Sequence, residues 1–242
     1  MALLESKNIP ARDRLIVALD VPSSGEAKKL VESFGDSVSF YKLGLELFMA
    51  GGYVELIDWL RQRSKQIFVD LKFFDVPQTV AKATAQVRKY GATFATVHGN
   101  DSMLRAAVRE KGDVKILSVT VLTSLDQSDV DALGFQCDVE SLVLSRARRA
   151  LDLGCDGVIS SGLEAPALRK NYGSAFLIVV PGIRPVLNRE QWGTDQSRTV
   201  DVEQAFANGA DYIVVGRPIT QAPDARRAAE DVQERIRRMY SL

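Results

Sequence analysis

Eight short apolar segments alternate with amphipathic segments along the 242-residue chain, and this repeat constrains the fold more than any other feature. Between the apolar segments, apolar residues recur with the period of an α-helix, as at Ala27, Leu30, Val31 and Phe34. Strands apolar on both faces and separated by helices are typical of a buried parallel sheet. The eight segments, rich in Val, Ile and Leu, are residues 14–20, 39–45, 66–73, 94–99, 115–122, 157–161, 175–183 and 212–218.

Eight such units in a chain of this length predict an α/β fold with a single (β/α)₈ barrel domain over residues 1–242. An open doubly wound sheet is the alternative. It is disfavoured because no GxGxxG turn follows the first strand and because there are eight units. We further expect Asp101 to be a helix N-cap and Gly209 to end a helix that begins near Asp201.

Composition and charge bear on the partners and the compartment to expect. The chain has 31 basic and 31 acidic residues, so its net charge does not favour nucleic acid or an anionic membrane. Cys137 and Cys155 form no CxxC pair and have no histidine nearby, which predicts packing residues in a reducing compartment.

The N-terminus lacks the apolar core of a signal peptide, and no apolar run approaches a membrane span. We therefore expect a cytoplasmic protein.

Polar residues follow the predicted strands at their carboxyl ends. In a (β/α)₈ barrel these ends meet at one rim, where catalytic groups lie. Asp70 and Lys72 are two residues apart, so a regular strand would point both to one face. Asp75 is out of that phase and has to be positioned by the loop. The polar residues of the predicted rim are Asp20, Lys42, Asp70, Lys72, His98, Thr123, Ser160, Ser161, Arg184 and Arg217.

Each of these features also has a purely structural interpretation. Asp70 and Lys72 could form an ion pair that closes a barrel layer, but buried ion pairs are weak stabilisers and clustered ionisable groups often mark functional sites. The PGIRP and VVGRP segments after the last two strands indicate either a phosphate site or two solvated turns. His98 is either a hydrogen-bonded structural residue or an acid–base group. The basic stretch at 226–238 is best interpreted as the solvated face of the last helix.

Seven segments, in this order and spacing, resemble the orotidine 5′-phosphate decarboxylase family. The resemblance covers about residues 13 to 219. Phe74, Val76 and Gln78 stand where the family commonly has His, Ile and Asn, and none of these differences removes a charged group. The segments are VALD, YKLG, DLKFFDVPQTV, VTVLTS, VPGIRP, GTDQSR and VVGRPI.

The resemblance implies loss of CO₂ from C6 of orotidine 5′-phosphate to give UMP, without a metal or organic cofactor. Lys72 would donate the proton to C6 and stabilise the developing negative charge. Asp70 would lie near the substrate carboxylate. Lys42 and Asp75 would keep Lys72 protonated and oriented.

The resemblance also implies how the rest of the substrate is bound. Asp20 and Lys42 would hold the ribose hydroxyls, and Thr123 would contact the pyrimidine. A lid formed by loop 184–196 would close over the site. The protein would be a homodimer in which Asp75 and Thr79 reach into the partner's site. The implied phosphate ligands are Arg184, Gln196, Gly216 and Arg217.

Two other functions are compatible with a phosphate-binding barrel. Related sugar-phosphate decarboxylases and aldolases share an Asp-x-Lys motif and use Mg²⁺, for which Glu46 is the nearest candidate ligand. The DVPQT continuation and Gln196 argue against them. A catalytically silent phosphate-binding barrel is the other alternative, and the complete set of charged residues argues against it.

Overall fold

The computed structural model describes residues 7–98, 100–184 and 199–240. Its eight parallel strands follow one another in chain order and close into a barrel, in which β1 pairs with both β2 and β8. This confirms the predicted (β/α)₈ barrel and excludes the open sheet. The strands are β1 (Leu15–Ala18), β2 (Phe40–Leu43), β3 (Gln66–Phe73), β4 (Phe94–His98), β5 (Lys115–Val119), β6 (Gly157–Ile159), β7 (Leu177–Val180) and β8 (Tyr212–Val215).

Helices alternate with the strands and pack around the barrel. In the described part of the chain, none of them is long and apolar enough to span a lipid bilayer. The helices are α1 (Ser24–Phe34), α2 (Leu45–Ala50), α3 (Tyr53–Arg61), α4 (Pro77–Lys89), α5 (Asp101–Glu110), α6 (Gln127–Ala132), α7 (Val139–Asp152), α8 (Ala165–Tyr172), α9 (Val202–Ala207), α10 (Arg217–Thr220) and α11 (Ala225–Tyr240).

The ends of two helices test the predicted caps. Asp201 is the N-cap of α9 and accepts a hydrogen bond from the Gln204 backbone N–H, and Gly209 follows the helix with a φ of +102°, as expected. The prediction for Asp101 was wrong by one residue, because Asn100 is the N-cap of α5. The Asp101 carboxylate instead accepts two hydrogen bonds from the Arg149 guanidinium, at 2.8 and 2.6 Å.

The last helix has one apolar and one charged face. Ala229, Val232 and Ile236 of α11 are buried against the barrel. Arg226 and Arg227 lie on the other face, where their side chains are 59% and 71% exposed and pair with acidic residues one turn later. The basic stretch is therefore a solvated outer face, as predicted.

Both cysteines are free thiols. Cys155 is buried in the core between barrel and helices, and burial raises the pKa of its thiol to about 12. Cys137 is partly buried and packs against the same core. Their predicted role as packing residues is confirmed.

A second core fills the barrel itself and has an aromatic layer at its centre. Phe94 lies 5.0 Å from Phe40, 5.8 Å from Phe68 and 5.1 Å from Tyr212, measured between ring centroids. Two of these contacts are edge-to-face, the arrangement that aromatic quadrupoles prefer. We call Phe40, Phe68, Phe94 and Tyr212 the inner aromatic layer. It closes the barrel below the carboxyl ends of the strands.

Strand β6 approaches β7 so closely that only glycine fits at position 157. A Cβ on Gly157 would lie 2.4 Å from the Leu177 carbonyl oxygen and 2.6 Å from its Cβ. We expect Gly157→Ala to destabilise the fold by about 3 kcal/mol, because backbone has to move to relieve the overlap. Urea unfolding at fixed protein concentration measures the change.

Gly25→Ala is the matched control for this substitution. Gly25 lies in α1, and the nearest atom to an added Cβ is the Ser23 Oγ at 3.8 Å. This variant should be neutral or stabilised by up to about 1 kcal/mol, because alanine is the better helix former. Equal stabilities of the two variants would contradict the predicted overlap.

Candidate active site

The layer directly above the inner aromatic layer is polar. The next inward position on each strand is two residues further along, because side chains alternate between the two faces of a strand. Lys42 follows Phe40, Asp70 follows Phe68 and Thr96 follows Phe94. The three neighbouring strands β2, β3 and β4 thus place a base, an acid and a hydroxyl side by side in the barrel mouth.

Four charged side chains form a continuous series of contacts here, which we call the ion chain. The Lys42 ammonium lies 2.9 Å from an Asp20 carboxylate oxygen and 3.6 Å from Asp70 Oδ2. Asp70 Oδ1 in turn lies 2.9 Å from the Lys72 ammonium. Acids and bases alternate from Asp20 to Lys72, so every charge has a neighbour of opposite sign.

The two inner members of the ion chain, Lys42 and Asp70, are ionised despite their burial. Burial alone would lower the pKa of Lys42, but the carboxylates of Asp70 and Asp20 outweigh it and raise that pKa. Burial alone would likewise raise the pKa of Asp70. The two lysines and the hydrogen bonds from Lys72 and Thr96 outweigh it and hold the pKa of Asp70 below its ordinary value. At neutral pH both groups are charged.

Strand β3 is irregular where it carries Asp70 and Lys72. Its pairing with β4 shifts between Val69 and Phe73, and Lys72 has a φ of +48°. The regular alternation from which the sequence argument placed these side chains on one face is therefore absent. Asp70 and Lys72 do meet, but through a bulge in the strand.

The ion chain lines a pocket of about 800 Å³, within the usual size for a small-molecule site. Residues in or directly after every strand except β4 line the pocket. It also contains polar residues that the sequence argument did not single out, namely Glu26, Ser124, Thr220 and Gln221. The predicted site residues that line it are Asp20, Lys42, Asp70, Lys72, Thr123, Arg184, Gly216 and Arg217.

Two predicted site residues lie outside this pocket. Asp75 and Thr79 are exposed and do not line it. The Asp75 carboxylate accepts a hydrogen bond from the Val76 backbone N–H, at 2.6 Å. Gln196 and all but the first residue of the predicted lid, 184–196, lie outside the described residues and stay predictions.

The chain matches a known protein family over most of its length. Residues 13–232 match the family model described as orotidine 5′-phosphate decarboxylase / HUMPS family. The chain belongs to this family. It is 60% identical over 238 residues to the orotidine 5′-phosphate decarboxylase of Methylococcus capsulatus, with 98% of each chain covered. It is 48% identical over 231 residues to that of Xanthomonas euvesicatoria, covering 95% of this chain and 94% of the relative.

Solved structures agree with this family assignment. The crystal structure of the orotidine 5′-phosphate decarboxylase from Lactobacillus acidophilus matches with a TM-score of 0.81 and 35% sequence identity. The match covers 93% of this chain and 99% of that one. The resemblance first seen in the sequence segments is thus confirmed along almost the whole chain.

Three other polar residues of the predicted rim do not line the pocket. Ser160 and Ser161 are fully buried and hydrogen-bond within the segment after β6, to Glu164 and the Leu163 backbone. His98 packs edge-on against Phe74, with ring centroids 5.6 Å apart. Burial, together with Arg146 and Lys72, lowers the pKa of His98. Neither contact tests whether His98 is a hydrogen-bonded structural residue, and that interpretation stays a prediction.

Glu46, the possible magnesium ligand, does line the pocket. In the part of the chain that the structure describes, however, no three His, Cys, Asp or Glu side chains are grouped so that they could hold a metal ion.

Gly44 and Thr96 are site residues that the sequence argument missed. A Cβ on Gly44 would lie 3.0 Å from the Lys42 ammonium and 3.1 Å from an Asp20 oxygen. The absence of a side chain at Gly44 therefore leaves space for the Lys42–Asp20 ion pair. The YKLG segment places a glycine two residues after Lys42, but only the fold shows which side chains approach it.

We expect Gly44→Ala to displace Lys42 or Asp20 by a few tenths of an ångström. The rate of orotidine 5′-phosphate decarboxylation should fall by about tenfold or more, because small displacements of site groups carry large kinetic costs. Steady-state kinetics and a structure of the variant measure both effects. Lys115→Ala, at the exposed amino end of β5, is the control. Wild-type kinetics in Gly44→Ala would show that the pair tolerates the added methyl group.

Proposed function

We propose that the chain removes CO₂ from orotidine 5′-phosphate to give UMP, the last step of pyrimidine nucleotide synthesis, without a cofactor. At 60% identity to a named decarboxylase over nearly its full length, it is a carboxy-lyase of this family. The ion chain is the observation that supports the proposed mechanism. It ends at the partly exposed Lys72 ammonium, which lines a pocket that the inner aromatic layer closes from below. Its expected cytoplasmic location stays a prediction.

The proposed reaction moves one electron pair and one proton. The bond between C6 and the carboxylate breaks, CO₂ leaves, and the electron pair remains on C6. The Lys72 ammonium then gives its proton to C6, and a C–H bond forms. The same positive charge stabilises the carbanion before the proton moves, so the interaction is strongest where the barrier lies. Solvent restores the proton to Lys72 after product release.

Asp70 has two proposed effects on this step. It holds the Lys72 ammonium at 2.9 Å and so keeps the proton donor in place beside the pocket. It would also lie beside the substrate carboxylate, where two negative charges repel each other and the repulsion ends when CO₂ leaves. Lys42, between Asp70 and Asp20, keeps this carboxylate ionised.

The remaining pocket residues fit the rest of the substrate. Arg184 and Arg217 follow β7 and β8, where barrels commonly bind phosphate, and arginine offers a planar fork for its oxygens. Gly216 brings backbone close to the same region. Asp20 and Lys42 would bind the ribose hydroxyls, and Thr123 the pyrimidine.

We also propose a homodimer in which each site receives Asp75 and Thr79 from the partner. Both residues are exposed, and neither lines the pocket of its own chain. Asp75 lies between Phe74 and Val76, apolar side chains that are 65% and 61% exposed. Such exposed apolar groups next to a charged residue suit a surface that becomes buried on association.

The proposed function predicts that purified protein converts orotidine 5′-phosphate to UMP and CO₂, and that EDTA leaves the rate unchanged. Lys72→Ala should lower kcat by at least about a thousandfold, because proton donor and charge stabilisation are lost together. Loss of orotidylate absorbance and release of CO₂ measure the reaction. Lys115→Ala, at an exposed position that begins β5, is the control.

Three outcomes would contradict this proposal. Absence of turnover by the wild-type protein would exclude the decarboxylase and leave a silent binding protein. Loss of activity in EDTA, restored by Mg²⁺, would favour the metal-dependent alternative with Glu46. Full activity of Lys72→Ala would exclude Lys72 as proton donor.

The shared site predicts complementation between two inactive variants. Mixing Lys72→Ala with Asp75→Asn should restore about a quarter of wild-type activity, because random exchange makes half the dimers hybrid and each hybrid has one intact site. Activity after mixing and incubation measures the effect, and each variant alone is the control. If tagged subunits exchange but activity stays absent, the site is not shared.

A further inference from the structure

The pairing between β3 and β4 contains two extra residues on β3. Val69 pairs with Ala95, but the next pair is Phe73 with Val97, so β3 advances four residues while β4 advances two. In a regular register Lys72 would lie opposite His98. The bulge instead leaves Asp70, Leu71 and Lys72 opposite the single residue Thr96. Lys72 is thereby kept about 7 Å deeper in the barrel than a regular strand would place it.

Thr96 takes over the hydrogen bonding that the bulge interrupts. Its hydroxyl accepts a hydrogen bond from the Lys72 backbone N–H at 2.9 Å and donates one to Asp70 Oδ1, also at 2.9 Å. The same Asp70 oxygen accepts the hydrogen bond from the Lys72 ammonium. Lys72 is thus held at two points. Its backbone N–H is bonded to Thr96, and its ammonium is bonded to Asp70. Thr96 itself is fully buried, with no exposed surface.

We propose that Thr96 is a positioning residue for the decarboxylation, holding the Lys72 backbone and the Asp70 carboxylate in one rigid arrangement. This inference rests on the function proposed above. Thr96 does not line the pocket and acts only through its two partners.

The backbone at Lys72 needs such support because it is strained. In the described residues, only Lys72 and Ser64 have a positive φ without being glycine. The left-handed region costs roughly 1–2 kcal/mol for a residue with a Cβ. Glycine would remove that cost, but it has no ammonium group. The surrounding contacts must therefore hold the conformation.

Loss of the hydroxyl should affect rate more than affinity. In Thr96→Val, a side chain of similar shape, the Lys72 N–H loses its acceptor and Asp70 loses a donor. We expect kcat to fall by about tenfold to a hundredfold, because Lys72 is no longer held in place, while KM changes little. The pKa of Asp70 should rise, since the hydrogen bond from Thr96 helps to lower it. The acidic limb of the kcat–pH profile should therefore move to higher pH.

Two comparisons separate positioning from a general loss of stability. Thr84→Val removes another fully buried hydroxyl, which donates to the Val80 carbonyl within α4, and should leave kcat and its pH profile unchanged. Thr96→Ser and Thr96→Ala both lack the methyl group and differ only in the hydroxyl. Serine should restore most of the rate and alanine should not. This pair also serves if the valine variant fails to fold.

The outcomes distinguish the two proposals. Wild-type protein without turnover would overturn the proposed function itself. Active wild-type protein with equal kcat in Thr96→Ser and Thr96→Ala would overturn the positioning role alone. Thr96→Val could instead lose thermal stability while its kcat and the acidic limb of its pH profile stay unchanged. That result would show that the Thr96 hydroxyl has only a structural role.

Discussion

The buried carboxylate of Asp70 is the constraint on which the rest of the site depends. A carboxylate taken out of water is costly unless it is paired and hydrogen-bonded. Asp70 meets this requirement with partners from three strands, namely Lys42 on β2, Lys72 on β3 and Thr96 on β4. Removing any one partner would leave the others imperfectly satisfied. The geometry of the barrel mouth is therefore fixed by electrostatics as well as by packing.

The inner aromatic layer makes this arrangement possible. Phe40, Phe68 and Phe94 close the barrel directly below Lys42, Asp70 and Thr96, so water has access to the ion chain only from the mouth. The low local dielectric strengthens each contact within the chain. The same layer gives the site a rigid base, because groups mounted on strands are held more firmly than groups mounted on loops. Packing and catalysis thus depend on the same two-residue alternation along the strands.

The sequence predicts the parts of this design that depend on local pattern. Eight apolar runs indicate the barrel, and charged residues at their ends indicate the rim. The sequence does not predict how far one strand slides past its neighbour. The β3 bulge, the role of Thr96 and the crowding at Gly44 all depend on such cross-strand distances. For Asp70 and Lys72 the predicted proximity was right, but the reason was wrong, because regular alternation does not extend through Lys72.

The bulge also bears on why a second subunit would be needed. Strand β3 ends at Phe73 and α4 begins at Pro77, so the chain between them turns outward. Asp75 lies on this outward turn, and its carboxylate bonds the Val76 N–H beside it. Asp75 is exposed and does not line the pocket that holds Lys72 of its own chain. Under the proposed shared site, the second acid beside Lys72 would therefore be supplied by a neighbouring copy, whose Asp75 is equally exposed.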